Sequence, residues 1–175
     1  MSNLVKPHGS KLINCYCDKA EAEDYKNNAV NYKSHTLSDR QLCDLELILN
    51  GAFSPLDGFM CNDDYHSVLD KNRLTNGSVW PMPIVLDVKA DLADQVQIND
   101  NLALRDKEGY LIAILHISSK WKYDKKLEAE KVYGTTDITH TGVRYLFENG
   151  GDICLGGKLT GVEKPHHHDF LDIRL

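Results

Sequence analysis

The chain has 175 residues, 42% hydrophobic and 26% charged, with 20 Lys+Arg against 26 Asp+Glu for a net charge of −6. This composition excludes a disordered chain and argues against a nucleic-acid binder, which usually carries a basic patch. No apolar run approaches the roughly 18 residues of a membrane span, so a globular domain with a sizeable core is expected. The N-terminus MSNLVKPHGS lacks an apolar h-region, and the 5 cysteines form no regular framework. Both point to a reducing, cytoplasmic address.

In chain order, Leu12–Cys15 reads as a short strand and Lys19–Lys26 as a helix capped by Asp18. Ser38–Asn50 is the strongest helix. Ser38 suits the N-cap, Gln41 completes a capping box, and Leu42, Leu45, Ile48 and Leu49 share one face. Gly51 suits the left-handed position that ends it. The loop Phe53–Met60 carries large apolar side chains that a surface linker would not need. Asp63–Asp70 reads as a helix opened by Asn62, and Ile84–Val88 as a strand held to an edge by Pro81 and Pro83. Asn101–Arg105 and Tyr110–Ile117 form a hairpin across a turn ending in Gly109. Leu111–Leu115 is apolar at every position, which predicts cover on both faces. Lys125–Val132 and Thr141–Asn149 read as helices, the second ended by Gly150-Gly151. Ile153–Leu155 and Lys158–Val162 read as two late strands. The whole is an α+β pattern without repeats.

Several features resemble reactive sites at first sight. Gly157-Lys158 lacks the remaining glycine and hydroxyl residue of a phosphate loop, since positions 152 and 159 are Asp152 and Leu159. His166, His167 and His168 cannot converge on one metal in an extended chain. His166 and His168 could share a face and hold a stray metal ion, with Asp169 beside them. Cys15-Tyr16-Cys17 is too closely spaced for a C-x-x-C motif. Cys43 and Cys154 read as buried small hydrophobes, and Cys61 as the exposed thiol. Asp63-Asp64 reads as a helix start, and Glu128 with Glu130 as a solvated face. The basic run Lys120-Trp121-Lys122-Tyr123-Asp124-Lys125-Lys126 could stack on RNA bases, but its neighbours Glu128 and Glu130 favour a solvated helix start. No catalytic, cofactor-binding or metal-binding residue is therefore assigned.

The segment Ser38–Met60 resembles the N-terminal part of ATP sulfurylase (sulfate adenylyltransferase). So do Leu4–Leu12, with Ser10 in place of a usual glycine, Val79–Val88, Leu104–Gly109, Val132–Gly142 and Gly156–Phe170. These islands follow the family's order and span nearly the whole chain. The resemblance implies a single PUA-like domain over residues 1–175, a mixed β-barrel with flanking helices. It also implies a parent enzyme that makes adenosine 5′-phosphosulfate and pyrophosphate from ATP and sulfate, using magnesium. The family's Gln-x-Arg-Asn-Pro and His-x-x-His motifs are absent: only Gln41, Gln95 and Gln97 occur, and no two histidines are three apart. The resemblance thus implies a non-catalytic domain without cofactors of its own. Its partner would be a catalytic domain in the same or a separate chain, with a homo-oligomer in view and neither membrane nor nucleic acid. Arg40, Asp44 and Arg105 would either bracket a domain interface and hold the Phe53–Met60 loop, or serve as local caps and surface pairs. A stand-alone RNA- or ligand-binding PUA-like module is the alternative reading.

Overall fold

The structure, a computed structural model, describes residues 5–167. They divide into two compact units. The first comprises residues 5–58, Asp100–His116 and 158–167; the second comprises Phe59–Asn99 and Ile117–Gly157. The helices are α1 (Lys19–Asn28), α2 (Asp39–Leu49), α3 (Asn62–Lys71), α4 (Ala90–Ala93), α5 (Lys125–Glu128) and α6 (Thr141–Asn149). The strands are β1 (Lys33–Thr36), β2 (Gly58–Phe59), β3 (Leu86–Val88), β4 (Asn101–Arg105), β5 (Leu111–Lys122) and β6 (Ile153–Gly161). They order as β1-β4-β5-β6-β2, with β3 also on β6. The expected α+β class holds, and the sheet is mixed. Its strand path is open rather than closed into a barrel.

In the first unit, β1 runs parallel to β4 from Lys33↔Leu102 to Thr36↔Arg105. β4 and β5 form the expected hairpin, with Asn101 opposite His116 and a register shift at Leu104/Arg105. Gly109 turns it with φ +93°. Every residue from Leu111 to Leu115 is buried, so the apolar run is covered on both faces as expected. α1 opens on Asp18, whose side chain accepts from Glu21 N. α2 has the full capping box: Ser38 Oγ accepts from Gln41 N at 3.3 Å, and Gln41 Oε1 accepts from Ser38 N at 3.0 Å. Gln41 is itself buried, its amide oxygen 3.1 Å from His35 Nε2. Leu45, Ile48 and Leu49 supply the buried face, and Gly51 leaves the helix at φ +86°.

The segment Leu12–Cys15 is not a strand. Cys15 N donates to Leu49 O at 3.1 Å, while Cys17 N donates to Gly161 O at 3.0 Å, so its backbone bonds go to two different elements. A single parallel bridge, Tyr16 with Gly161, is all that results. Ser10, where the resembled family has glycine, sits at φ +72°. That region costs an ordinary L-residue roughly 1–2 kcal/mol.

In the second unit, β3 pairs antiparallel with β6, Leu86 opposite Leu155 and Val88 opposite Ile153. α3 starts one residue earlier than expected, with Cys61 rather than Asn62 at the N-cap. Ser119 Oγ accepts from Asn62 N at 3.1 Å and replaces a side-chain cap. β5 continues to Lys122, so Lys120 and Lys122 lie on a strand and not at a helix start. The two late strands are one, because Gly156-Gly157 does not interrupt β6. A Cβ on Gly156 would come within 2.8 Å of Cys61 Cα, so glycine is required by a close backbone approach rather than by a turn.

Three outcomes follow in urea denaturation. Ser38→Ala should lower stability by about 1 kcal/mol through loss of the cap. Gly156→Ala should cost about 1–3 kcal/mol or more, since the neighbour is backbone and cannot yield. Ser10→Gly should be neutral to stabilising by at most about 1 kcal/mol, because relief of strain is partly offset by a freer unfolded chain.

Candidate functional site

The extended run from Lys11 to Cys17 borders a cleft of about 610 Å³ in the first unit. Its charged lining is balanced: Lys11 and Lys158 against Glu21 and Asp57. The thiols of Cys15 and Cys17 lie along it, but they are spent on carbonyls. Cys15 Sγ donates to Asp57 O at 3.6 Å, and Cys17 Sγ to Gly161 O at 3.1 Å. Burial, and then the Asp57 charge, push the Cys15 thiol up to about 11. Burial and the Glu21 charge likewise raise Cys17. Neither is an activated nucleophile. Lys158 faces this cleft from a strand, and Gly156 is committed to its close packing, so Gly157-Lys158 forms no cradle for a phosphate.

Beside the cleft, His116 is held at both ring nitrogens. Nδ1 is 2.8 Å from Asn101 Oδ1 and Nε2 is 2.9 Å from Thr160 Oγ1. With Asn101 Oδ1 as acceptor, Nδ1 carries the proton and the Thr160 hydroxyl donates to Nε2. Burial, and then the Lys158 charge, hold the imidazole below its usual range. Sequence reasoning found no role for this histidine, since its partners lie 15 and 44 residues away.

The second unit places most of the residues singled out as a basic run. Lys120 Nζ donates to Ala93 O at 2.6 Å and Val96 O at 3.1 Å, capping α4. Lys125 Nζ donates to Gly150 O at 2.6 Å beyond the end of α6. Tyr123 is buried, and its hydroxyl donates to Glu128 Oε1 at 2.8 Å. Glu128 is therefore not on a solvated face: it is 6% exposed. Tyr65 packs 6.1 Å from Tyr123 and 5.6 Å from Trp121, ring centre to ring centre. Burial first, then the Glu128 charge, drive both phenols well above the ordinary tyrosine range. This is a structural knot, and Tyr123 offers no face on which a base could stack. Asp64 accepts from Thr75 N at 2.8 Å and Thr75 Oγ1 at 2.7 Å, which ties α3 to the turn after it.

Arg40 and Asp44 form a 2.7 Å pair one turn apart on α2, and Arg105 Nη1 donates to Gly109 O at 2.9 Å across the hairpin turn. These contacts are local. Leu56, Phe59 and Met60 of the apolar loop are buried within the chain itself, so they present no docking surface. Cys43, not Cys61, is the exposed thiol: it lies on the outer side of α2, while Cys61 Sγ meets Ser118 Oγ at 3.2 Å. Cys154 is buried as expected. His166 packs on Tyr110 with ring centres 5.0 Å apart, and His167 faces Glu46. His168 and Asp169 lie outside the described residues. Among the described residues, no three His, Cys, Asp or Glu side chains gather as a metal-ligand set. No helix among them is long and apolar enough to cross a membrane.

The model of the PUA-like domain family matches residues 5–164, and the chain belongs to that family. It is 41% identical over 172 residues to the sulfate adenylyltransferase of Eremothecium gossypii, covering 98% of this chain and 34% of that enzyme. It is 46% identical over 154 residues to the Schizosaccharomyces pombe enzyme of the same name, covering 87% and 31%. A Synechococcus sulfate adenylyltransferase matches at 37% over 168 residues, covering 96% and 42%. A solved structure titled as a hexameric APS kinase from Thiobacillus denitrificans superposes with a TM-score of 0.76 at 32% identity, covering 98% of this chain and 29% of that one. The chain thus spans about a third of the length of the first of these relatives. More particularly, it corresponds to the N-terminal PUA-like domain of sulfate adenylyltransferases.

Two outcomes test the site's chemistry. The unfolded chain protonates His116 more readily than the folded one. Its stabilising share is therefore present above about pH 6.5 and is lost as pH falls towards the depressed folded value. Thermal melts between about pH 7.5 and 5 should show this loss, and His116→Gln should flatten the slope. Tyr123→Phe should cost about 1–3 kcal/mol by removing the donor to a buried carboxylate, and Glu128→Gln should cost less because its amide oxygen still accepts.

Proposed function

We propose that this chain is a single PUA-like domain that supports, without performing, the reaction of a sulfate adenylyltransferase. The observation that carries this reading is coverage: nearly the whole chain matches enzymes of that name, yet accounts for only 30–42% of their length. The chemistry of the side chains supports it. Adenylyl transfer to sulfate needs cationic and amide donors gathered around a concentrated negative charge. Here Lys120 and Lys125 are bound to carbonyls, Arg40 pairs with Asp44, and Arg105 closes a turn.

In this reading the partner is a catalytic domain, in the same chain or a separate one, and ATP and magnesium are bound there. The T. denitrificans APS kinase is hexameric, which makes a homo-oligomer a natural setting for the assembled enzyme. A cytoplasmic address suits thiols such as the exposed Cys43.

The 175-residue chain should release no pyrophosphate above background from ATP, sulfate and Mg²⁺. Measurable turnover by the purified chain would overturn the proposal. An RNA titration at low salt separates it from the alternative of a stand-alone RNA-binding module: no binding is expected, and salt-sensitive binding would favour that alternative.

A further inference from the structure

We propose that Asn76 is a site of spontaneous covalent modification, where the turn after α3 converts its own asparagine to aspartate and isoaspartate. Three asparagines of the chain precede glycine: Asn50, Asn76 and Asn149. Glycine leaves the following backbone nitrogen without a shielding side chain, so all three share the same local chemistry. The fold gives each a different setting.

Asn50 follows α2, and its Oδ1 accepts from Ala52 N at 2.9 Å, which draws the side-chain carbonyl over the Gly51 peptide. Gly51 is buried, however, with Ile13 O and the Leu12 side chain closed against it. Asn149 is exposed but helical, so ring closure would have to rotate the peptide that ends α6. The next residue is also held, because Lys125 Nζ grips Gly150 O at 2.6 Å. Asn76 alone joins the favourable side-chain contact to exposure. Its Oδ1 accepts from Ser78 N at 2.9 Å, Gly77 is exposed, and a Cβ there would meet nothing within 4 Å. The Ser78 N–H already points at the oxygen on which negative charge develops when Cγ is attacked. Two bonds oppose the rotation, Gly77 N to Leu74 O and Arg73 Nη1 to Gly77 O, each 2.9 Å. Both lie at a turn apex, which opens without disturbing the core.

The reaction needs only base and water. Hydroxide removes the Gly77 amide proton, and the nitrogen attacks Asn76 Cγ. A C–N bond forms, the side-chain nitrogen leaves as ammonia, and a cyclic succinimide remains. Water then adds to one of its carbonyl carbons. Cleavage at Cγ gives aspartate, and cleavage at the main-chain carbonyl gives isoaspartate, whose backbone runs through Cβ and Cγ. Nothing is oxidised or reduced. The extra main-chain atom of isoaspartate falls between Leu74 and Ser78, whose N–H to O bond of 2.9 Å closes the hairpin inside the bridge of Arg73 with Val79. Isoaspartate therefore breaks this register. Plain aspartate keeps it, since its carboxylate still accepts from Ser78 N.

The test needs neither catalysis nor a partner and stands apart from the proposed function. The 175-residue chain is held in mildly alkaline buffer, folded or unfolded in urea. Peptide mass spectrometry reads the amide-to-acid mass gain at Asn50, Asn76 and Asn149, and methylation by an isoaspartyl methyltransferase reads the isomer. In the folded chain Asn76 should convert at least about tenfold faster than either of the others, a gap that a modest local opening cost imposes. In urea the three should fall within about threefold of one another. Hydrogen exchange at the Leu74 amide should quicken in the isoaspartate form and stay near the parent's in Asn76→Asp. Conversion of Asn50 or Asn149 as fast as Asn76 in the folded chain would overturn the proposal. So would an Asn76 that stays intact while the unfolded chain converts. Equal loss of Leu74 protection in Asn76→Asp and in the isomer would overturn the break in register.

Discussion

Burial of β5 on both faces is the constraint to which the rest of the fold answers. From Leu111 to Leu115 every residue is buried, so the peptide groups of that stretch must find their partners in neighbouring strands. β4 supplies one side through the hairpin and β6 supplies the other. That demand explains why β6 is a continuous strand despite two successive glycines, and why the chain continues to bond to Ile112 after β6 has ended. It also explains the cost accepted at Gly156, where the backbone passes too close to Cys61 for any side chain.

A second theme is the inward use of polar groups. The charges that look reactive in the sequence finish short-range tasks. Two lysines cap carbonyls, an aspartate holds a turn, and a buried glutamate receives a tyrosine hydroxyl. These contacts link separate parts of the chain, and the Tyr123–Glu128 bond also satisfies groups that would otherwise be buried without a partner.

Much of the fold was legible because its signals are local. The capping box at Ser38 and Gln41, the Asp18 cap, the hairpin at Gly109 and the apolar run of β5 each lie within a few residues of one another. Most of the misreadings have the opposite property; Glu128, only five residues from its partner Tyr123, is the exception. Glu128 looked solvated because the Tyr123 hydroxyl that buries it is visible only once α5 has folded back on the end of β5. Lys120 looked like part of a basic cluster because its carbonyl partners lie 27 and 24 residues away. Leu12–Cys15 looked like a strand because extended backbone and apolar content are local, whereas the identity of its hydrogen-bond partners is not. Ser10 stands where the resemblance implies a glycine, and among the described residues it is the one serine at positive φ.

The division of the chain between the two units has a further consequence, for the order of assembly during synthesis. The first unit starts first but is interrupted twice, and it needs residues after Gly157 before β6 can complete it. The second unit, although it starts later, has all of its segments once Gly157 has emerged. On the ribosome, then, the early N-terminal helices wait with an unfinished sheet while the inserted unit becomes complete before them. The order in which the two units are completed is therefore not the order in which they start, and the segment that follows Gly157 decides when the first unit is closed.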